Sequence, residues 1–181
     1  MTESYSENTI QPEIYQIKEA ATDFTIKDVD TGVTYSLSDL IGRVVVLDLF
    51  ATWCPPCGVA LPYLRELYLK YSEDEVRIIS IDVDISESQS LVSQFRHDNN
   101  MDWIVGRDTD GSISTSYGSE SIPTFHIIDQ KGNVHWSDSG FTVEETWPVM
   151  SSKIATLVEN SESPSQNMSP TTRVLVTILE V

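Results

Sequence analysis

The stretch VVVLDLFATWCPPCGVALP, Val44 to Pro62, joins a continuous apolar run to a pair of cysteines. The valine-rich run from Arg43 to Phe50 predicts a central strand that is buried on both faces. After the cysteines, Leu61, Leu64, Leu67 and Tyr68 recur at helical spacing. Cys54 and Cys57 therefore lie where a buried strand passes into a helix, and Pro62 is expected to kink that helix.

Strands and helices alternate on both sides of this stretch. Residues 23–42 predict two short strands around the turn at Asp30 to Gly32, followed by a helical turn. Residues 75–84 predict a second buried strand, and residues 86–106 predict an amphipathic helix and a further short strand. Two more strands follow within residues 121–140, before a final helix. This order favours an α/β fold of three layers, with helices on both faces of one sheet.

The composition divides the chain into one domain and two tails. We expect a flexible arm at residues 1–17, a folded domain at 18–160, and a Ser/Pro-rich linker with a short apolar tail at 161–181. The first twenty residues show neither a basic segment nor an apolar segment of the secretory type, which favours a cytoplasmic location. Membrane association is the alternative, if the apolar tail RVLVTILEV continues into an anchor.

The charge excludes two classes of partner. The chain has 181 residues and a formal net charge of −17 at pH 7. A surface of this sign repels phosphate backbones and anionic lipid, so nucleic acid and bare membrane are poor partners. A partner protein with a basic face is the alternative to a simple role in solubility.

Cys54 and Cys57 are the two cysteines of the chain, and their Cys-x-x-Cys spacing within an α/β pattern indicates redox chemistry. Positions i and i+3 of a first helical turn bring two Cα atoms close enough for a disulfide, and the helix N-terminus favours thiolate. We expect Cys54 at an exposed tip as the nucleophile and Cys57 as the resolving thiol.

The alternatives for the cysteine pair are a structural disulfide and half of a zinc site. Two zinc ligands would be missing, because His97, His126 and His135 have no ligand spacing with the cysteines. We read His97 as a residue of a helix surface and the other two as strand residues. We therefore expect no metal, and no cofactor besides the redox-active disulfide itself.

Asp48 is an acidic residue within the apolar strand, six residues before Cys54. A carboxyl group in apolar surroundings has its pKa raised toward neutrality, which suits a proton donor or acceptor. We expect Asp48 to take the proton of Cys57 through a water molecule. The alternative is that Asp48 points to a sheet edge and is merely solvated.

Pro55 and Pro56 separate the two cysteines, and proline has no N–H to donate to the Cys54 thiolate. A reduced form with few local donors implies a reducing couple. We predict a midpoint potential nearer to about −270 mV than to the oxidising end at about −120 mV.

The sequence WCPPC after VVVLDLFAT, with Pro62 five residues past Cys57 and SIPTFHIID further on, resembles the thioredoxin superfamily. The leading hairpin and the helix and strand at 86–106 look like those of its TlpA-like and ResA-like branch. The resemblance covers roughly residues 20–159. It implies a thioredoxin fold, thiol–disulfide exchange with disulfide-containing protein substrates, and an upstream dithiol reductant.

The resemblance also implies a substrate groove. Ile122–Pro123 would be a cis peptide that faces the cysteines, and Trp53, Ile122 and Gly140 would border the groove. Ala60 departs from the TlpA-like pattern, in which a glutamate often stands at that position. The CPPC sequence is also known from tryparedoxin-like and nucleoredoxin-like proteins, which keeps a cytosolic reductase role open.

We compared three other functions with that of a protein-disulfide reductase, and two of them stay open as alternatives. Peroxidase chemistry is disfavoured, because peroxiredoxins carry threonine and proline where this chain has Ala51 and Leu47. A binding module would hold a partner without turnover. The third alternative is the soluble head of a membrane-attached protein of electron transfer or cytochrome maturation.

Overall fold

A computed structural model describes residues 19–161 of the chain. The predicted N-terminal arm lies outside this range, and so does the predicted linker and tail apart from Ser161. That residue is the last of the final helix. Within the described range, no helix has the length and apolar character that crossing a bilayer requires.

A five-stranded sheet forms the centre of the fold, and a two-stranded hairpin precedes it. The strands, in chain order, are β1 (Thr25–Lys27), β2 (Thr34–Ser36), β3 (Val44–Phe50), β4 (Val76–Asp82), β5 (Ile104–Arg107), β6 (Thr124–Ile128) and β7 (Val134–Ser139). The helices are α1 (Pro55–Lys70), α2 (Gln89–Asp98), α3 (Ser112–Tyr117) and α4 (Thr146–Ser161), with a 3₁₀ turn at Leu37–Leu40. The hairpin is β1 paired with β2, as predicted.

Strand β3 lies in the middle of the sheet, whose order is β5-β4-β3-β6-β7. It runs parallel to β4 and antiparallel to β6. All seven of its residues are buried, because helices or the hairpin cover both faces of the sheet. The β-branched valines that begin β3 suit such a position, since they pack well on a pleated surface.

Two apolar cores lie on the two faces of the sheet, which confirms the three-layer prediction. The first contains Leu64 of α1, Val92 of α2 and Ile154 of α4. The second contains Ile113 of α3 and Ile26 of the hairpin. The predicted insertion at 86–106 corresponds to α2 and the start of β5, and it extends the sheet beyond β4.

Helix α1 buries one apolar stripe against the sheet. Its buried residues are Cys57, Ala60, Leu61, Leu64 and Leu67. Their spacing of three and four residues keeps them on one face of the helix. Pro62 lies on the exposed side, and the helix runs through it as one continuous element of sixteen residues.

Candidate active site

Cys54 and Cys57 form a disulfide at the N-terminus of α1, with their Cα atoms 5.3 Å apart. This separation is ordinary for a disulfide. Cys54 is the N-cap residue, and Pro55 and Pro56 are the first two residues of the helix. Proline fits there, because the first N–H groups of a helix have no partner within it and the ring presets a helical φ. The predicted position of the pair between strand and helix is confirmed.

The expectation that Cys54 lies at an exposed tip is wrong for the disulfide form. Cys54 is 4% exposed and Cys57 is 2% exposed. The extended backbone of Cys54 turns its side chain toward the helix, where Sγ accepts a hydrogen bond from the Cys57 N–H at 3.2 Å. The Cys57 amide is therefore a local donor to the Cys54 sulfur, despite the two prolines between them.

Asp48 lies in the middle of the central strand and is 2% exposed, so a position at a sheet edge is excluded. Its register partners are Ser80 on β4 and Phe125 on β6. The Ser80 hydroxyl donates to Asp48 Oδ2 at 2.7 Å. Burial raises the pKa of Asp48 to about 7, while the hydrogen bond from Ser80 acts in the opposite direction. Such a carboxyl group can gain and lose a proton near neutral pH.

The side chains of Asp48 and Cys57 lie on the same side of the sheet. Residues two apart on a strand point to the same face, so Asp48 shares its face with Val46 and Phe50. Both of these residues belong to the core that also contains Cys57. The position of Asp48 beneath the active-site helix therefore agrees with the predicted proton transfer.

The loop before β6 contains the predicted cis peptide, Ile122–Pro123. Pro123 is buried, and its carbonyl accepts a hydrogen bond from the Gly140 N–H at 2.7 Å. Gly140 has a φ of 87°, a left-handed conformation that favours glycine. Gly140 thus fixes this loop from the end of β7.

Trp53 and Ile122 line one cleft beside the disulfide-bearing helix. Trp53 is 63% exposed, and its indole N–H donates to Asp84 Oδ2 at 2.7 Å. The other side chains of the cleft include Val83, Asp84, Ile85 and Glu120. The structure therefore brings two of the predicted groove residues together, between apolar walls that carry acidic groups.

A buried acidic cluster under Thr52 was missed by the sequence analysis. The carboxylate of Glu87 accepts hydrogen bonds from the Thr52 N–H, at 3.1 Å, and from the Thr52 hydroxyl. Arg107 Nε lies 3.5 Å from Asp82 Oδ2, and the Arg107 side chain also donates to the Glu87 carbonyl. Burial raises the pKa of Asp82 to about 7, and the negative charge of Glu87 adds to this effect.

A signal for this cluster was present in the sequence. Asp82 ends the buried strand β4, and Glu87 follows in the connection to α2. Because β4 is parallel to β3, its carboxyl end adjoins the segment that leads to the cysteines. Acidic residues at the end of a neighbouring parallel strand could have been assigned to the active-site region.

The histidines agree with their predicted positions. His97 lies on α2 with an exposed side chain, while His126 and His135 lie on the neighbouring strands β6 and β7. Burial lowers the pKa of His126, which favours its neutral form. The three side chains therefore occupy separate places in the fold.

Comparison with known proteins gives the family. The family model described as AhpC/TSA matches residues 17–137. The thiol-disulfide oxidoreductase ResA of Oceanobacillus iheyensis is 35% identical over 124 residues, which are 67% of this chain and 64% of that protein. ResA of Bacillus thuringiensis is 37% identical over 119 residues, 66% of this chain and 67% of that protein.

A solved structure supports the same fold. The crystal structure of a Chlorobium tepidum protein, provisionally assigned as the thiol:disulfide interchange protein DsbE, matches with a TM-score of 0.71 and 26% identity. The match covers 78% of this chain and 96% of that one. The fold and the cysteine pair define a thioredoxin-fold protein with a redox-type disulfide.

The chain belongs to the AhpC/TSA family and, within the thioredoxin superfamily, to its ResA/TlpA-like branch. The predicted resemblance is thereby confirmed, and so is the predicted class of thiol–disulfide oxidoreductase. The roles of the individual site residues are taken up below.

Proposed function

We propose that this protein reduces disulfides in protein substrates through the dithiol form of Cys54 and Cys57. The observation that carries the proposal is the disulfide at the N-terminus of α1, on the side of the sheet that also buries Asp48. The relatives named as thiol-disulfide oxidoreductases support the reaction type.

The reaction proceeds in two exchanges. The Cys54 thiolate attacks one sulfur of the substrate disulfide, so a mixed disulfide forms and the second substrate sulfur leaves as a thiolate. Cys57 then transfers its proton to the Asp48 carboxylate, directly or through water, and the Cys57 thiolate attacks Cys54 Sγ. The substrate leaves with two electrons more, and the Cys54–Cys57 disulfide remains. An upstream dithiol then reduces the Cys54–Cys57 disulfide and regenerates the two thiols.

The cleft lined by Trp53 and Ile122 is our candidate for the docking of the substrate chain. Its apolar walls suit an extended peptide segment, and Asp84 and Glu120 place negative charge at its border. Hydrogen bonds from the Ser86 hydroxyl and the Trp53 indole lower the pKa of Asp84, so that carboxylate is charged at neutral pH. We infer that preferred substrates carry basic residues next to their disulfide.

Trapping tests the order of the two cysteines. In a Cys57→Ser variant, the mixed disulfide cannot be resolved, so disulfide-linked complexes through Cys54 should accumulate. The matched Cys54→Ser variant should trap none, although it keeps one cysteine. Equal trapping by both variants, or none by either together with no reduction of a model protein disulfide by the native chain, would contradict the proposal.

The midpoint potential tests the direction of electron flow. Titration in thiol/disulfide buffers, followed by tryptophan fluorescence, should give a value nearer about −270 mV than about −120 mV. A value above about −180 mV would indicate an oxidant or isomerase, and the interpretation of Pro55 and Pro56 would be wrong.

The cytoplasmic location predicted from the sequence is open to a direct test. Fractionation of cells that express the full-length gene product distinguishes a free protein from a membrane-attached one. Recovery in the membrane fraction would favour the alternative of a head domain of an electron-transfer protein. The proposed chemistry at Cys54 and Cys57 is the same in either place.

A further inference from the structure

A line of buried hydrogen bonds ends on Asp48. The Trp103 indole Nε1 lies 2.9 Å from Ser80 Oγ, and Ser80 Oγ lies 2.7 Å from Asp48 Oδ2. Trp103 is 4% exposed, Ser80 is 0% exposed and Asp48 is 2% exposed. None of these contacts is therefore in exchange with bulk water at the protein surface.

The direction of the line is fixed by chemistry. An indole N–H can only donate, so the Ser80 oxygen must accept from Trp103. The hydroxyl of Ser80 has a single proton, and the geometry leaves it for Asp48 Oδ2. Asp48 Oδ2 is thus held as an acceptor, and a proton arriving at the carboxylate binds Oδ1 without breaking the line.

We propose that Ser80 and Trp103 are positioning residues for proton transfer at Asp48, because they hold Oδ2 as an acceptor and reserve Oδ1 for the proton of Cys57. This inference rests on the proposed function of Asp48. The transfer breaks the S–H bond of Cys57 and forms an O–H bond at Oδ1, so the thiol becomes a thiolate and the carboxylate becomes neutral. The proton leaves Oδ1 again when the dithiol is regenerated.

The surroundings of Asp48 leave few other groups to set its protonation. Of the buried side chains of α1, the Cys57 thiol is the titratable one. The buried residues of α2 and α4 carry no ionisable side chain, and Phe125 is the partner on β6. On β4, Asp82 lies two residues past Ser80 and points to the same face. Among these described elements, Asp82 is therefore the acidic neighbour that the test must take into account.

Trp103 reaches this site from the segment inserted between β4 and α3. It directly precedes β5, and its ring packs on Tyr68 of α1, with ring centroids 6.0 Å apart. Helix α1 also carries Cys57. Trp103 of the insertion thus contacts α1 through Tyr68 and reaches Asp48 through Ser80. The insertion therefore has a role in the proposed reaction.

Carboxyl ¹³C NMR of the oxidised protein tests the proposal, because neither cysteine titrates in the disulfide. Ser80→Ala removes a donor to the charged form, so the pKa of Asp48 should rise by roughly one unit. Trp103→Phe weakens the polarisation of the Ser80 hydroxyl and should raise the pKa by a smaller amount. The double variant should match Ser80→Ala alone, since both changes act through one hydroxyl.

Control variants distinguish the effect of these two hydrogen bonds on the pKa of Asp48 from the effect of a general loss of packing. Trp136→Phe alters another indole that packs against the same core and should leave the pKa of Asp48 unchanged. Ser80→Thr keeps the hydroxyl and should restore the native titration. The resonances of Asp82 are followed in the same spectra. An unchanged or lowered pKa of Asp48 in Ser80→Ala overturns the inference.

Kinetics give the second readout. One limb of the pH–rate profile for disulfide reduction should report the ionisation of Asp48. In Ser80→Ala, this limb should move to higher pH by the same shift as the pKa of Asp48. In an Asp48→Asn background, Ser80→Ala should not move the profile at all, and a shift that persists there overturns the inference. If the native protein reduces no disulfide, the proposed function fails, while the NMR titration still decides whether the line acts on Asp48.

Discussion

Asp28 and Asp48 are equally hidden from solvent, at 3% and 2% exposure, yet their pKa values move in opposite directions. At Asp48, burial raises the pKa to about 7, and one hydroxyl opposes it. At Asp28, burial also raises the pKa, but donors from Thr31 and Val105 and the charge of Arg96 outweigh it. The partners of a buried carboxyl group, and not its burial alone, decide whether it is charged.

Asp28 and Asp48 have different roles because their partners differ. Arg96 Nη1 donates to both carboxylate oxygens of Asp28, at 3.0 and 2.9 Å, and connects the turn of the hairpin to α2. The Val105 N–H donates to Asp28 Oδ2 at 3.2 Å and adds β5 to the same clasp. Asp28 therefore stays ionised and holds elements together, while no cation among residues 19–161 acts on Asp48, which can exchange a proton.

The pH dependence of stability has opposite signs at the two sites. The pKa of Asp28 is lower in the folded protein than the ordinary pKa of an aspartate. Asp28 therefore stabilises the fold at pH values above that ordinary pKa, and this contribution is lost as the pH falls. The pKa of Asp48 is raised from 3.8 to about 7, so its contribution is present at low pH. That contribution is lost as the pH rises from about 4 to about 7.

The largest effect is expected from Arg96→Met. The substitution leaves the Asp28 carboxylate buried without its cation, so the free energy of unfolding should fall by about 3–5 kcal/mol at pH 7 in urea titrations. Arg65→Met is the matched control, because Arg65 and Asp102 form a largely exposed ion pair at 3.1 Å. That change should cost less than about 1 kcal/mol. An equal loss of stability in both variants would show that the buried Arg96–Asp28 pair contributes no more than an ordinary surface ion pair.

Asp48→Asn should stabilise the protein at pH 8, by up to about 4 kcal/mol, since no buried carboxylate needs to ionise in the variant. The gain should be smaller at pH 5.5, and disulfide reduction should slow. Asp28→Asn is the counterpart and should destabilise the protein at pH 8. Urea titrations of both variants at the two pH values check the signs. Destabilisation at pH 8 by Asp48→Asn would contradict this prediction, because it would show that the partners of the Asp48 carboxylate offset the cost of burying its charge.

The smallest effect concerns the acidic cluster beside Thr52. Glu87→Gln keeps an acceptor for Thr52 but removes the negative charge that helps to raise the pKa of Asp82. The pKa of Asp82 should fall by roughly one unit, which carboxyl ¹³C NMR can measure. Glu120→Gln, an exposed change across the cleft, should leave it unchanged. No shift in Glu87→Gln would place the cause of the raised pKa in burial alone.

The central strand, the helix after Cys54 and the buried position of Asp48 could all be predicted from the sequence. Each depends on near neighbours: a seven-residue apolar strand must be covered, and two prolines after a cysteine begin a helix. The cis peptide at Ile122–Pro123 came from the resemblance, since a single proline in a sequence does not specify its isomer.

The tertiary structure alone decided which groups meet. Ser80 lies 32 residues from Asp48, and Arg96 lies 68 residues from Asp28. The contact of Ser80 with Asp48 depends on strand register, and a slip of one residue between β3 and β4 would turn Ser80 to the opposite face. The burial of Cys54 likewise follows from the turn of its side chain toward the helix. The sequence determined which residues carry the chemistry, and the packing of distant segments set their charge and direction.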